Sequence, residues 1–241
     1  MRVSVIVPAF NEAQGLAASL GSIRHAMGVL DAAGWSSELI VCDNNSTDRT
    51  AAIAREEGAQ VVFEPVNQIS RARNTGAARA TGGWLIFVDA DSHPSRGLLA
   101  DVLRALQDGR CIAGGSTICF DAPDRVLAFV GWSRNTISRR MRWAAGSFMF
   151  CEAAAFREAG GFSQELYATE EIDLFRRLKR IARRRGRTIE ILRHHPLLTS
   201  ARKMRLYTWR EALRFIRRTV VLRGRTLKSA QECFSWYDGR R

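Results

Sequence analysis

The sequence predicts an α/β protein built on a mostly parallel sheet with helices on both faces. Strand-like and helix-like segments alternate through the first ninety residues with short connections, which is the pattern of such a sheet. The strands read as continuous apolar runs, as strands covered on both faces must. Hydrophobic residues make up 46% of 241 residues, enough for a sizeable core in one large domain or one domain with an extension.

The elements follow in order. "RVSVIVPAF" carries a β-branched run from Val3 to Val7 that stops at Pro8, a buried strand leaving its sheet. Leu16, Leu20, Ile23, Met27 and Leu30 then recur every three or four residues, predicting a helix from about Glu12 to Leu30. "ELIVCD" is a second strand. After it Ser46 or Thr47 offers an N-cap and Gly58 a stop for a second helix. "QVVFE" is a third strand, "ISRARNTGAARATGG" a helix ending at Gly82 and Gly83, and "WLIFVD" a fourth strand. Beyond it the alternation loosens: helix periods recur around Arg96–Leu106 and Glu152–Ala159, with strand-like "CIAGGSTICF" between them. From about Arg202 the chain reads as a basic helix, its apolar line Leu206, Trp209, Leu213, Ile216 and Val220 interspersed with arginines.

Charge is uneven along the chain. Of the net +13, residues 171–241 contribute +15, with 21 Lys and Arg against 6 Asp and Glu, and residues 1–170 contribute −2. The basic third implies an anionic partner: a phosphorylated substrate, an anionic lipid surface or nucleic acid. Five widely spaced cysteines without a C-x-x-C pair argue against a complete disulfide framework and for a reducing cytosol. No secretory leader and no run of roughly 18 apolar residues is present, so the expected location is the cytoplasm, free or peripheral at the inner face of the membrane.

Ligands of open α/β sheets bind beyond the carboxyl ends of strands, and here those ends carry acids: "PAFNE" with Glu12, then Asp43, then Asp89 and Asp91. Neither a glycine-rich dinucleotide turn nor a G-K-[ST] loop follows any strand. Two carboxylates at i and i+2 on extended backbone share a side and need a cation. A hard ion, Mg²⁺ or Mn²⁺, bridging a diphosphate satisfies both requirements.

"VSVIVPAFNE", "VCDNNSTDRT", "ARNTGAARATGGWLIFVDADS" and "GGFSQELYATEEIDLFRRL", in that order from Val3 to Leu178, resemble the glycosyltransferases of family 2, which have the GT-A fold. The resemblance implies an inverting, metal-dependent transfer of a hexose-type sugar from a nucleotide diphosphate sugar to an acceptor hydroxyl. A UDP-sugar is the first candidate donor and GDP-mannose the second; the acceptor is left open, with a lipid-linked or anionic one as the candidate. It implies a catalytic domain over residues 1–200, with residues 1–92 the nucleotide-sugar half and 93–200 the acceptor half, followed by a basic amphipathic extension over 201–241.

By the same resemblance Pro8, Ala9, Glu12 and Asp43 line the nucleotide pocket, although Asp43 also reads as a turn-former. Arg73 pairs with the diphosphate. Asp91 is the metal ligand and Asp89 a ribose or bridging contact. Glu171 occupies the position of the catalytic base, where the family usually has aspartate, and Glu170 is the alternative. Asp173 instead reads as a helix-start acid pairing with Arg176 or Arg177. "WAAGSFMF" resembles an acceptor pocket, with Gly146 and Ser147 allowing close approach and Trp143 either stacking on a sugar or filling core. His195 is a candidate late metal or diphosphate contact, or structural. A retaining transferase would share the nucleotide site but not the base. An RNA-binding protein would need aromatic platforms among the arginines, and the aromatics there lie at helical core spacing instead.

Overall fold

The computed structural model describes residues 1–122, 124–202, 225–229 and 231–233. The basic amphipathic helix expected over about 203–222 lies outside them. The described strands form one eight-stranded sheet in the order β3-β2-β1-β4-β7-β6-β8-β5. Its first half is parallel: β1 (Arg2–Ala9) lies between β2 (Ser36–Asp43) and β4 (Trp84–Val88), and β3 (Gln60–Phe63) pairs beyond β2. Its second half is mixed. β7 (Phe148–Glu152) runs antiparallel to both β4 and β6 (Cys111–Phe120), β6 pairs in parallel with β8 (Thr188–Thr199), and the short β5 (Ser92–His93) is antiparallel to β8.

Helices cover both faces. On one, α1 (Leu16–Ala32) and α4 (Arg96–Asp108) bury Leu16, Leu20, Ile23, Leu98 and Val102 against Val3, Val5 and Ile86. On the other, α6 (Ala153–Ala159) and α7 (Glu170–Arg184) bury Phe156, Leu174, Phe175 and Leu178 against Ile6, Leu85 and Phe87. α3 (Ile69–Arg79) packs on β1, where Gly76 is required because a Cβ would stand 2.5 Å from Ile6. α5 (Arg125–Met141) packs on β6 through Asn135, whose amide both donates to and accepts from the Ile118 backbone at 2.9 Å.

Capping explains several boundaries. Ser95 Oγ accepts from Leu98 N at 3.1 Å to open α4, which closes on Gly109 in the left-handed region. Asp124 opens α5 by accepting from Val126 and Leu127 N. α2 (Thr50–Glu56) does not use the expected caps. Ser46 Oγ instead accepts from Asn11 N, and Asp48 Oδ1 accepts from Thr50 N at 2.9 Å, so the helix starts later. α1 likewise begins at Leu16, because Glu12 to Gly15 form a turn in which Glu12 O accepts from Gly15 N and Leu16 N.

No helix among the described residues is long and apolar enough to cross a membrane. All five cysteines are free, and four of them are buried.

Candidate active site

Strand register gathers the acids. Ala9 ends β1 opposite Asp43 at the end of β2, and Ile6 pairs with Phe87 of β4, so Asp89 and Asp91 emerge beside them. Pro8 and Ala9 are buried backbone at the strand end. Asp43 is also buried, and its Oδ1 accepts from Ser46 N at 3.1 Å, so the turn-forming role is realised at the strand end. Asn44 beside it donates to Glu64 O and Val66 O and holds the β3 loop against the same strand end.

At the centre is Arg73. Its side chain is 2% exposed; Nη2 donates to Asp89 Oδ1 at 2.9 Å and to Gly146 O at 2.9 Å, and Nη1 donates to Glu170 Oε1 at 2.7 Å. The guanidinium also sits 5.3 Å from the centroid of the Phe162 ring. Its pKa stands above the ordinary value: burial alone would lower it, but Asp89, Glu170 and Glu171 outweigh that. One cation therefore joins the first aspartate of D-x-D to the glutamate pair.

Glu170 and Glu171 open α7, where acids favour the positive end of the helix. The residue before them, Thr169, holds φ 62°, a conformation that β-branched residues rarely adopt, and such strain persists only where surrounding contacts impose it. The segment leading to it is held by α3, and Tyr167 N donates to Leu227 O at 2.7 Å. Gln68, at the N-cap of α3, donates to Gln164 O and Leu166 O, and Asn74 exchanges two 2.9 Å hydrogen bonds with the Phe162 backbone.

Glu171 is crowded by protein atoms while retaining some solvent contact. Its pKa is raised, first by desolvation and then by the neighbouring charge of Glu170; Arg73 and Arg134 pull the other way. A Cβ on Gly146 would stand 3.6 Å from both Arg73 Nη2 and Glu171 Oε1, so this backbone closes one wall of the site. Asp173 pairs with Arg177 as an i, i+4 helix pair, as expected. Trp143 is partly buried against the second core cluster, with Arg176 and Lys179 over its ring at 5.3 and 5.4 Å.

His195 lies away from the D-x-D, and Arg202 joins the site without having been singled out from the sequence. His195 is carried out of register on the bulge of β8 between Leu192 and Leu197, where its ring meets Gly97 and its Nδ1 lies 2.9 Å from Asp101 Oδ2. It is held by α4 rather than brought to the D-x-D. Arg202, unremarked at the head of the basic segment, reaches Glu12 Oε2 at 2.6 Å, and Asp91 adds to the charge that raises its pKa. Ser200 N donates to Asp91 O at 3.1 Å, so the chain leaving β8 returns to the site.

Among the described residues no three His, Cys, Asp or Glu side chains converge as a closed metal site. The carboxylates available at this strand end are those of Asp89 and Asp91. Mg²⁺ or Mn²⁺ is commonly held by one or two carboxylates with substrate phosphates completing its shell, and this donor set fits that arrangement.

The model of Glycosyl transferase family 2 matches residues 4–158. The chain belongs to that family. An uncharacterized glycosyltransferase of Mycobacterium bovis is 35% identical over 113 residues, 47% of either chain. The chain thus spans about half the length of the curated relatives it matches first. The mannosyltransferase PcManGT from Pyrobaculum calidifontis, in complex with GDP-Man and Mn²⁺, superposes with a TM-score of 0.68 at 21% identity, covering 96% of this chain and 64% of that one. Glucosyl-3-phosphoglycerate synthase from Mycobacterium tuberculosis, in complex with Mn²⁺, UDP and phosphoglyceric acid, gives 0.60 at 19%, covering 99% and 79%. The fold of this family 2 chain is therefore GT-A.

Proposed function

We propose that the chain carries the active site of a metal-dependent glycosyltransferase that moves a sugar from a nucleotide diphosphate sugar to an acceptor hydroxyl with inversion. The observation that carries this reading is Arg73, which binds Asp89 and Glu170 at once. It fixes a donor-side carboxylate and the start of α7 in one rigid unit. Relatives of the same fold whose structures hold GDP-Man or UDP with Mn²⁺ support a nucleotide sugar and a divalent ion.

Each residue then has a task. Pro8, Ala9, Glu12 and Asp43 border the nucleotide, with Asp43 accepting from base or ribose because an ionised carboxylate only accepts. Asp91 and Asp89 would hold Mg²⁺ or Mn²⁺, which when bound stabilises charge on the departing diphosphate. Arg73 keeps Asp89 in place and adds positive charge at the same point. Glu171 takes the acceptor proton: its raised pKa makes it a stronger base than an ordinary carboxylate, and the backbone at Gly146 lies beside it. Glu170, committed to Arg73 at 2.7 Å, is the positioning partner rather than the base.

Thermal unfolding with UDP-sugars and GDP-sugars, with and without Mn²⁺, tests the donor site. One nucleotide class should raise Tm only in the presence of the ion, and Asp91→Ala should abolish that rise while retaining the wild-type Tm without ligand. Glu171→Gln should retain the rise and lose about 10²–10⁴ in turnover. Full activity of Asp91→Ala in chelator would overturn the metal requirement, and a product of retained anomeric configuration would overturn the role of Glu171.

A further inference from the structure

Nine large apolar side chains stand exposed among the described residues, and five of them, Val126, Phe129, Trp132, Ile137 and Met141, are on α5. Single exposed apolar residues need no explanation, but a clustered face does. At about 100° per residue these five fall on one side of the helix, opposite Leu127, Gly131, Asn135 and Ser138, which are turned to the protein. Phe129 and Trp132 are 65% and 64% exposed and stack on each other at 5.9 Å, forming a flat aromatic wedge that points away from the core.

Asp124 caps the N-terminal end of the helix, but along its length and at its C-terminal end the charge beside the wedge is positive. On the helical wheel Arg134 and Arg139 border the apolar arc on its two sides, and Arg140 stands within it near the C-terminal end. Beyond that end lie two adjoining hollows that share Arg142, Thr188 and Ile189 and carry more cations than acids, with Arg139, Arg140, Arg183 and Lys179 among their walls. The carboxylates lining them are Asp108, taken by Arg110, and Glu190. Crowding shows in Lys179, whose pKa is lowered by burial first and then by Arg142, Arg183 and Arg176.

We propose that the outward face of α5 docks on an anionic lipid bilayer, with Phe129, Trp132 and Ile137 entering the headgroup boundary and Arg139, Arg140 and Arg142 on the lipid phosphates. An amphipathic helix with an aromatic-aliphatic face and an arginine border lies in the interface plane rather than crossing it. A second copy of the chain would bring a second set of arginines to the same contact, whereas anionic headgroups neutralise the first set. The docking itself does not depend on the transferase reading.

The test uses the full chain and sedimentation with vesicles of phosphatidylcholine alone or with about one third phosphatidylglycerol. Binding should require the anionic lipid and fall steeply at about 0.5 M salt, where surface charge is screened. The doubles Phe129→Ser with Trp132→Ser, and Arg139→Glu with Arg140→Glu, should each weaken partitioning by at least about tenfold. Both replace exposed residues, so Tm should hold. In case the doubles fail to fold, Trp132→Phe gives a separate readout: the wild-type blue shift of tryptophan emission on anionic vesicles should be largely lost. Three outcomes would overturn the proposal: no sedimentation with anionic vesicles at low salt; unchanged binding by both doubles, which would move the contact elsewhere; or self-association that the Phe129/Trp132 double abolishes without any effect of lipid.

Discussion

Removing a guanidinium from water is costly, and Arg73 offsets that cost with two carboxylates, a carbonyl and an aromatic face. Arg73→Met should therefore do more than lose a ligand contact. It would leave Glu170 buried without its partner, and breaking such a pair costs about 3–5 kcal/mol, measurable by urea unfolding. Glu171 responds to the same charges. A base must be deprotonated to act, so the acid limb of kcat/KM should lie above the ordinary 4.5 of a glutamate. Glu170→Gln removes a like charge and should move that limb to lower pH; a limb that stays put would detach Glu170 from the titration. The stability linkage has the matching sign. The folded state holds the Glu171 proton more tightly than the unfolded chain does, so its contribution is present below 4.5 and is lost as pH rises through the raised pKa.

Among the elements, the β1–α1–β2 region and the strand leading to Asp89 were legible because β-branched runs and a clear 3.6 period leave few alternatives. Gly82 marks where that half closes. Its Cβ would stand 2.7 Å from Ser4 N and Oγ, so Gly82→Ala should destabilise by about 1–3 kcal/mol, whereas Gly83→Ala, with open space around it, should be near neutral by the same unfolding measurement. The second half was harder to read for identifiable reasons. β8 is interrupted by "RHHP", which bulges out of register, and β7 runs directly from a glycine-containing turn. α5 presents its apolar residues to solvent and Asn135 to the sheet, the reverse of the pattern that identifies a core helix. In the site, carboxylates at strand ends could be located by position alone, but the grip of Gln68 and Asn74 on the α6–α7 loop spans 88 to 98 residues, and no local period records it. Arg202 was hidden similarly, as one arginine in a basic run.

Over the whole molecule, the sheet separates two cores that share the strands but not their side chains. Leu20→Ala on one face and Phe162→Ala on the other should each cost about 2–5 kcal/mol and add within about 0.5 kcal/mol, since no common partner couples them. Only Phe162→Ala should also depress turnover, because Arg73 rests on its ring. Should the double variant depart strongly from additivity, the sheet transmits strain between its faces. The long-range grip of α3 also bears on the order of synthesis. Arg73 leaves the ribosome 97 residues before Glu170, so during translation it has no carboxylate from α7 to meet. Until that partner emerges, burying Arg73 is uphill, and the nascent N-terminal half has reason to stay open around it. Completion of the chain through α7 is what makes closure downhill, so a ribosome stalled before Glu170 should display a protease-sensitive α3.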